Sequence, residues 1–183
     1  MSTKIKLLGT GSAEDYTRKN TAYLIEHGDE TLLVDAGSGI YAALAYHFGS
    51  LNEFSKKPDS ILFTHKHADH TIDRPLILLA MWRASRDQGI KRQMNIYGES
   101  ETVETSLNPA NNYLTKDGKL LYSDYVAFNL GPTTSPTSLH GFAVNFAETQ
   151  HSARNLAYRI EDKKRSIGIS GYGAITSSEK KLF

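Results

Sequence analysis

Three features of this 183-residue chain predict an α/β fold. Two apolar runs near the start, 21–26 and 31–35, are joined by turn residues. Two stretches rich in helix formers, 40–48 and 72–86, stand between strand-like runs. From residue 125 onward the chain reads as successive strands. Mixed strand and helix runs of this kind pack as layers around a shared core. The length suffices for one sizeable core, so a single domain over 1–183 is expected.

Taken in order, KIKLL (4–8) reads as a strand and Gly9-Thr10-Gly11-Ser12 as a tight loop. GTGS after a strand also suggests a dinucleotide cradle. The third glycine is missing, however, and no helix pattern follows at once, so a turn is the better reading. AEDYTRKN (13–20) is a polar loop. Its Arg18 and Lys19 either meet an anionic substrate or are simply solvated. TAYLIE and TLLVD form a hairpin across His27-Gly28-Asp29-Glu30. Asp35 at the end of that hairpin orders a loop or lies behind a metal-binding His, rather than binding a metal itself. IYAALAYHF (40–48) is a helix whose His47 is expected to be structural. Residues 50–58 are a polar connection, and 59–64 a strand.

Ile72 to Arg86 is a helix with Pro75 in its first turn and Gly89 at its stop. QMNIYG (93–98) is a strand, and 99–108 a helix with Ser100 as a candidate cap. PANNYLTKDG (109–118) is irregular, with a turn at Asp117-Gly118. The runs 125–129 and 142–148 alternate as half-buried strands do. GPTTSPTSLHG between them reads as a loop, and His140 at its end is a weak candidate for a substrate contact. Strands 156–161 and 166–170 follow, and 177–183 closes the chain.

Net charge is +1 and 22% of residues are charged, so nothing in the overall balance draws the chain to nucleic acid or to a membrane. There is no Cys, which excludes disulfides and thiolate metal sites. No apolar run approaches the roughly 18 residues of a membrane span. The first residues lack a signal peptide's apolar core. A cytoplasmic protein is expected.

The chemistry concentrates after the strand 59–64. His65-Lys66-His67-Ala68-Asp69-His70 places three imidazoles and a carboxylate within six residues. In an extended turn, positions i and i+2 face one side, so His65 and His67 can meet one ion. Asp69 and His70 can turn towards a second. Neutral imidazole and carboxylate suit zinc, and also manganese or iron. His151, at a strand end facing a loop, is the candidate third imidazole. The competing reading is a chance cluster of solvated histidines.

These residues resemble the metallo-β-lactamase superfamily, and within it the ribonuclease Z branch. The resemblance is carried by LLGTGSA (7–13), RKNTAYLI (18–25), LLVDAGSG (32–39), ILFTHKHADH (61–70), His151 and ISG (169–171). It implies an αββα sandwich of two mixed sheets with helices outside and metals at the sheet edge. It implies two zinc ions sharing a hydroxide, with His65, His67 and His151 on the first and Asp69 and His70 on the second. Asp69 would also orient the hydroxide as a catalytic group. The implied activity is phosphodiester hydrolysis, with a tRNA precursor as the branch's substrate. Smaller esters, cyclic nucleotides and lactones also fit the chemistry. Arg18, Lys19, Lys66 and Arg154 are the candidate phosphate contacts.

Two departures from the branch follow from the residues. Tyr172 stands where the ISG strand normally continues with a metal-bridging Asp, which leaves the second ion two protein ligands. The chain also lacks much of the C-terminal half of the fold. Apolar sheet surface should therefore be exposed; pairing with a second copy as a homodimer would cover it, and a truncated or frame-shifted product or a compact variant fold are the alternatives. A catalytically impaired metal-binding protein is the alternative to a hydrolase; a purely structural protein needs the histidine cluster to be accidental.

Overall fold

A computed structural model describes residues 2–106, 115–116, 119–120, 124–132, 137–174 and 176–183. The strands are β1 (Thr3–Gly9), β2 (Ala22–His27), β3 (Glu30–Val34), β4 (Ser60–Phe63), β5 (Arg92–Gly98), β6 (Thr115–Lys116), β7 (Lys119–Leu120), β8 (Val126–Pro132), β9 (Thr137–Leu139), β10 (Phe142–Thr149), β11 (Asn155–Glu161) and β12 (Ser166–Ile169). The helices are α1 (Ile40–Phe48), α2 (Ala68–Thr71), α3 (Arg74–Gln88), α4 (Ser100–Ser106) and α5 (Ser177–Leu182).

Six strands make the first sheet in the order β1-β2-β3-β4-β5-β8. It is mixed: β1, β2 and β3 run antiparallel, and β3, β4, β5 and β8 run parallel. The second sheet, β12-β11-β10-β9, is antiparallel throughout, where a mixed sheet was expected. Short hairpins link its strands and no helix crosses over, so no parallel pair arises. β6 pairs with β7 as a separate ribbon.

The pleat divides the first sheet's side chains between two cores. Leu24, Leu33, Ile61, Phe63, Met94 and Ile96 face α1 and α3. Ile25, Leu32, Val34 and Leu62 face the second sheet, where they meet Phe142, Val144, Leu156, Tyr158 and Ile160. β4 is buried on both faces, which is why SILF shows no alternation. α5 packs on the far side of the second sheet, completing the αββα order. Among the described residues, no helix is long and apolar enough to cross a membrane.

Several local expectations are corrected. The polar connection 50–58 contains a short 3₁₀ helix, Leu51–Ser55, whose Phe54 is fully buried. The helix expected over 72–86 is α3, which runs from Arg74 to Gln88, and a further short helix, α2, precedes it inside the histidine loop at Ala68–Thr71. Ser100 does not cap α4. Glu99 does, its carboxylate accepting from the amides of Glu101 and Thr102. Residues 131–132 and 137–139 of the expected loop are strand, because the first pair extends β8 along β5 and β9 finds a partner in β10; 133–136 lie outside the described residues. The Asp117-Gly118 turn also lies outside them, as do 107–114, although the flanking Lys116 and Lys119 pair. The expected exposed sheet surface is present on β1. Ile5 and Leu7 pair with Ile25 and Tyr23 and remain 49% and 61% exposed.

Candidate metal centre

The cup lies at the C-terminal ends of β3 and β4, where the two sheets meet. Tyr158 of β11 donates its hydroxyl proton to the Phe63 carbonyl at 2.7 Å, and the Leu156 amide donates to the Thr64 carbonyl at 2.9 Å. These two bonds hold the start of β11 against the end of β4. The loop carrying His151 is thereby set beside the loop carrying His65 and His67. Residues 84 positions apart along the chain then touch: His151 Nε2 lies 3.2 Å from His67 Nδ1. His65 Nε2 lies 3.1 Å from the same His67 atom.

One ligand nitrogen from each of His65, His67 and His151 falls within 4.8 Å of the other two. Nitrogens around a tetrahedral zinc ion at about 2.0–2.1 Å stand roughly 3.3 Å apart, so the two short separations match that geometry. A proton shared between one pair leaves the third lone pair unanswered; a cation satisfies all three. The three histidines therefore form a cluster that can hold a metal ion. His65 is fully buried, whereas His67 and His151 are half-buried and form the mouth.

Charge supports the same reading. Burial, together with His70, His67 and His151 nearby, pushes the His65 pKa down to about 3. Burial and the same neighbours lower His151, against the pull of Asp69. Both imidazoles are thus neutral near pH 7 and free to donate a lone pair.

His70 is built differently. Its Nδ1 lies 2.8 Å from Asp35 Oδ2 and its Nε2 lies 3.4 Å from Asp69 Oδ2. Burial opposes its charge, but the Asp35 hydrogen bond and the two carboxylates outweigh burial and raise its pKa. Its Nε2 is buried and has no hydrogen-bond partner, which is uncommon for a buried polar atom. Asp35 lies behind His70 as the sequence suggested, held at φ 63° while it accepts the Thr64 amide at 2.8 Å and the Thr64 hydroxyl at 2.9 Å. Asp69 and His70 sit on α2, which is pressed against the loop after β3. A Cβ at Gly37 would lie 1.8 Å from the Asp69 carbonyl, so only glycine fits there.

Other candidates lie elsewhere. His140 bonds Glu30 and Asn95 at the opposite end of β3, away from the cup. His47 pairs with Glu26, as a structural residue does. Three of the four candidate phosphate contacts are engaged by acids: Arg18 with Asp15, Lys66 with Glu101, and Arg154 with Glu148. Among the described residues, Lys19 alone of the four has no acidic partner. No sequence signal marks Asn155, whose buried Nδ2 donates to Thr149 Oγ1 and to the Tyr172 carbonyl. Nor did it mark Tyr158 as the tie between the sheets.

The model of the family described as Anti-Pycsar protein Apyc1 matches residues 3–175. The chain belongs to that family. Other relatives are named metallo-hydrolase or ribonuclease Z. The probable metallo-hydrolase YhfI of Bacillus subtilis is 25% identical over 165 residues, covering 90% of this chain and 61% of that protein. A ribonuclease Z of Clostridium botulinum is 27% identical over 176 residues, covering 87% of this chain and 51% of its own length. The chain thus spans about half to three-fifths of the length of these relatives. In structure, YhfI matches with a TM-score of 0.71 at 21% identity, over 96% of this chain and 65% of that one. The short form of human tRNase Z matches with a TM-score of 0.68 at 19% identity, over 99% and 74%. These likenesses establish the metallo-β-lactamase fold.

Proposed function

We propose that this chain is a metal-dependent phosphodiesterase, similar in chemistry to the relatives named ribonuclease Z. The observation that carries the proposal is the convergence of His65 Nε2, His67 Nδ1 and His151 Nε2, with Asp69 and His70 beside them. In this reading His65, His67 and His151 hold the ion, with zinc first and manganese or iron as alternatives. A bound divalent cation supplies a Lewis acid and makes hydroxide available near neutral pH. Asp69 accepts the proton of the attacking water and orients it. Asp35 fixes the His70 ring through Nδ1. Lys19, on the loop that hydrogen-bonds the Ser38 region, meets the substrate's anionic oxygens.

The substrate is an RNA phosphodiester, such as a tRNA precursor, or a small cyclic phosphodiester. Pairing of three of the four candidate cations with acids favours the small substrate, because a long RNA needs several free positive charges. Cytoplasmic location and a homodimer covering Ile5 and Leu7 belong to the same reading. The test is turnover of bis(p-nitrophenyl) phosphate, a tRNA precursor and a cyclic nucleotide by the zinc-, manganese- or iron-loaded chain. Hydrolysis abolished by chelation and by His151→Ala is expected. Bound metal with no turnover of any of the three contradicts it and leaves a metal-binding protein, the reading that Tyr172 beside His70 favours.

A further inference from the structure

The two sides of the cup are not equally furnished with donors. Among the described residues, the three imidazoles of His65, His67 and His151 are the one group of three His, Cys, Asp or Glu side chains placed to share an ion. The other side offers His70 Nε2 and Asp69 Oδ2, 3.4 Å apart, and among the described residues no third ligand side chain completes a group with them. Its remaining wall is an aromatic ring. Tyr172 stands perpendicular to His70, with centroids 4.8 Å apart and planes at 88°. The same ring lies 6.2 Å from His65 and 6.3 Å from His151. It therefore fills the space next to the three-histidine site, on the side of His70.

The backbone that carries that ring is held in place. The Tyr172 carbonyl accepts from the buried Asn155 amide and from Thr149 Oγ1. Gly171 turns with φ 63°, and a Cβ there would lie 2.9 Å from Asn155 Oδ1. Ala174 exchanges backbone hydrogen bonds with Gln150, next to His151. The backbone cannot carry the ring out of the cup without breaking this set. A neutral phenol brings no charge to offset a second dication, and two protein donors fall short of the three that an open site keeps.

We propose that residues 1–183 bind a single metal ion, on His65, His67 and His151, and that the Tyr172 ring occupies the place of a second. The inference rests on the three-histidine reading above and adds the stoichiometry. The experiment counts zinc per chain by elemental analysis after equilibration with excess zinc and gel filtration. The end point of a cobalt(II) titration, followed by visible absorption, is a second measure. Wild type and Tyr172→Phe should each bind one ion, and Tyr172→Asp two, because the new carboxylate completes the Asp69–His70 pair. Asp69→Ala should still bind one. Two ions in wild type overturn this inference and leave the three-histidine site standing. One ion in a folded Tyr172→Asp also overturns it. No ion in wild type removes both readings. Should Tyr172→Asp fail to fold, the wild-type cobalt end point, at one equivalent or at two, decides the matter.

Discussion

The cup has one side built from distant parts of the chain and one built locally. His65 and His67 come from the loop after β4, and His151 comes from the second sheet. Asp69 and His70 are neighbours on the four-residue helix α2, backed by Asp35 at the end of β3. The distant side exists only when the sheets dock, since the Tyr158–Phe63 and Leu156–Thr64 bonds bring His151 into range. The local side is ordered by its own hydrogen bonds. Metal affinity should therefore depend on tertiary structure at His151, whereas carboxylate support at His70 orders the ring beside the ion.

The largest effect is expected at the distant side. His151→Ala leaves two imidazoles, too few for a tight site, and zinc affinity should fall by more than about 100-fold in a competition titration. Tyr158→Phe separates docking from ligation. It removes one hydroxyl and leaves the buried Phe63 carbonyl without its partner, so calorimetry should show a loss of about 1–3 kcal/mol of stability. An unchanged melt would mean that this bond does not hold the sheets together. On the local side, Asp35→Asn keeps the shape but weakens support of His70. A fall of about 10-fold in activity is expected, with one zinc still bound per chain, because Asp35 orders His70 and Thr64 beside the three-histidine site.

The pH dependence separates the two sides by sign. His65 has a folded pKa of about 3, below its ordinary 6.5. Between these values the unfolded chain takes up a proton that the folded chain refuses, so His65 makes the metal-free chain lose stability as pH falls from about 6.5 towards 3. His70 is raised, so its contribution is present in acid and lost as pH climbs through its folded value. Denaturant melts of metal-free wild type and His65→Gln should show a shallower acid loss in the variant. Equal slopes would remove His65 as the cause. The smallest effect is expected at the rim: Lys19→Ala should raise KM by roughly threefold to tenfold with kcat nearly unchanged, the pattern of uniform binding.

Much of this was legible in the sequence because local chemistry carries it. Turn residues 27–30 fix the hairpin, and the spacing of His65, His67, Asp69 and His70 marks the site. Asp35 before glycines signalled a residue behind a loop histidine, and it bonds His70. The parts that were not legible depend on contacts between distant residues. Nothing near Asn155 reveals that it will anchor Tyr172, seventeen positions later. Phe54 was hidden in a polar stretch because a single aromatic has no period. β9 was hidden because Thr137, Ser138 and Leu139 become a strand only when β10 pairs with them.

The most direct test of the account is X-ray absorption spectroscopy of the zinc-loaded chain, comparing wild type with His151→Ala. Nitrogen scattering at about 2.0–2.1 Å with the multiple-scattering pattern of three imidazoles is expected in wild type, and two imidazoles in the variant. A wild-type spectrum with fewer than three imidazoles, or one that His151→Ala leaves unchanged, would contradict it.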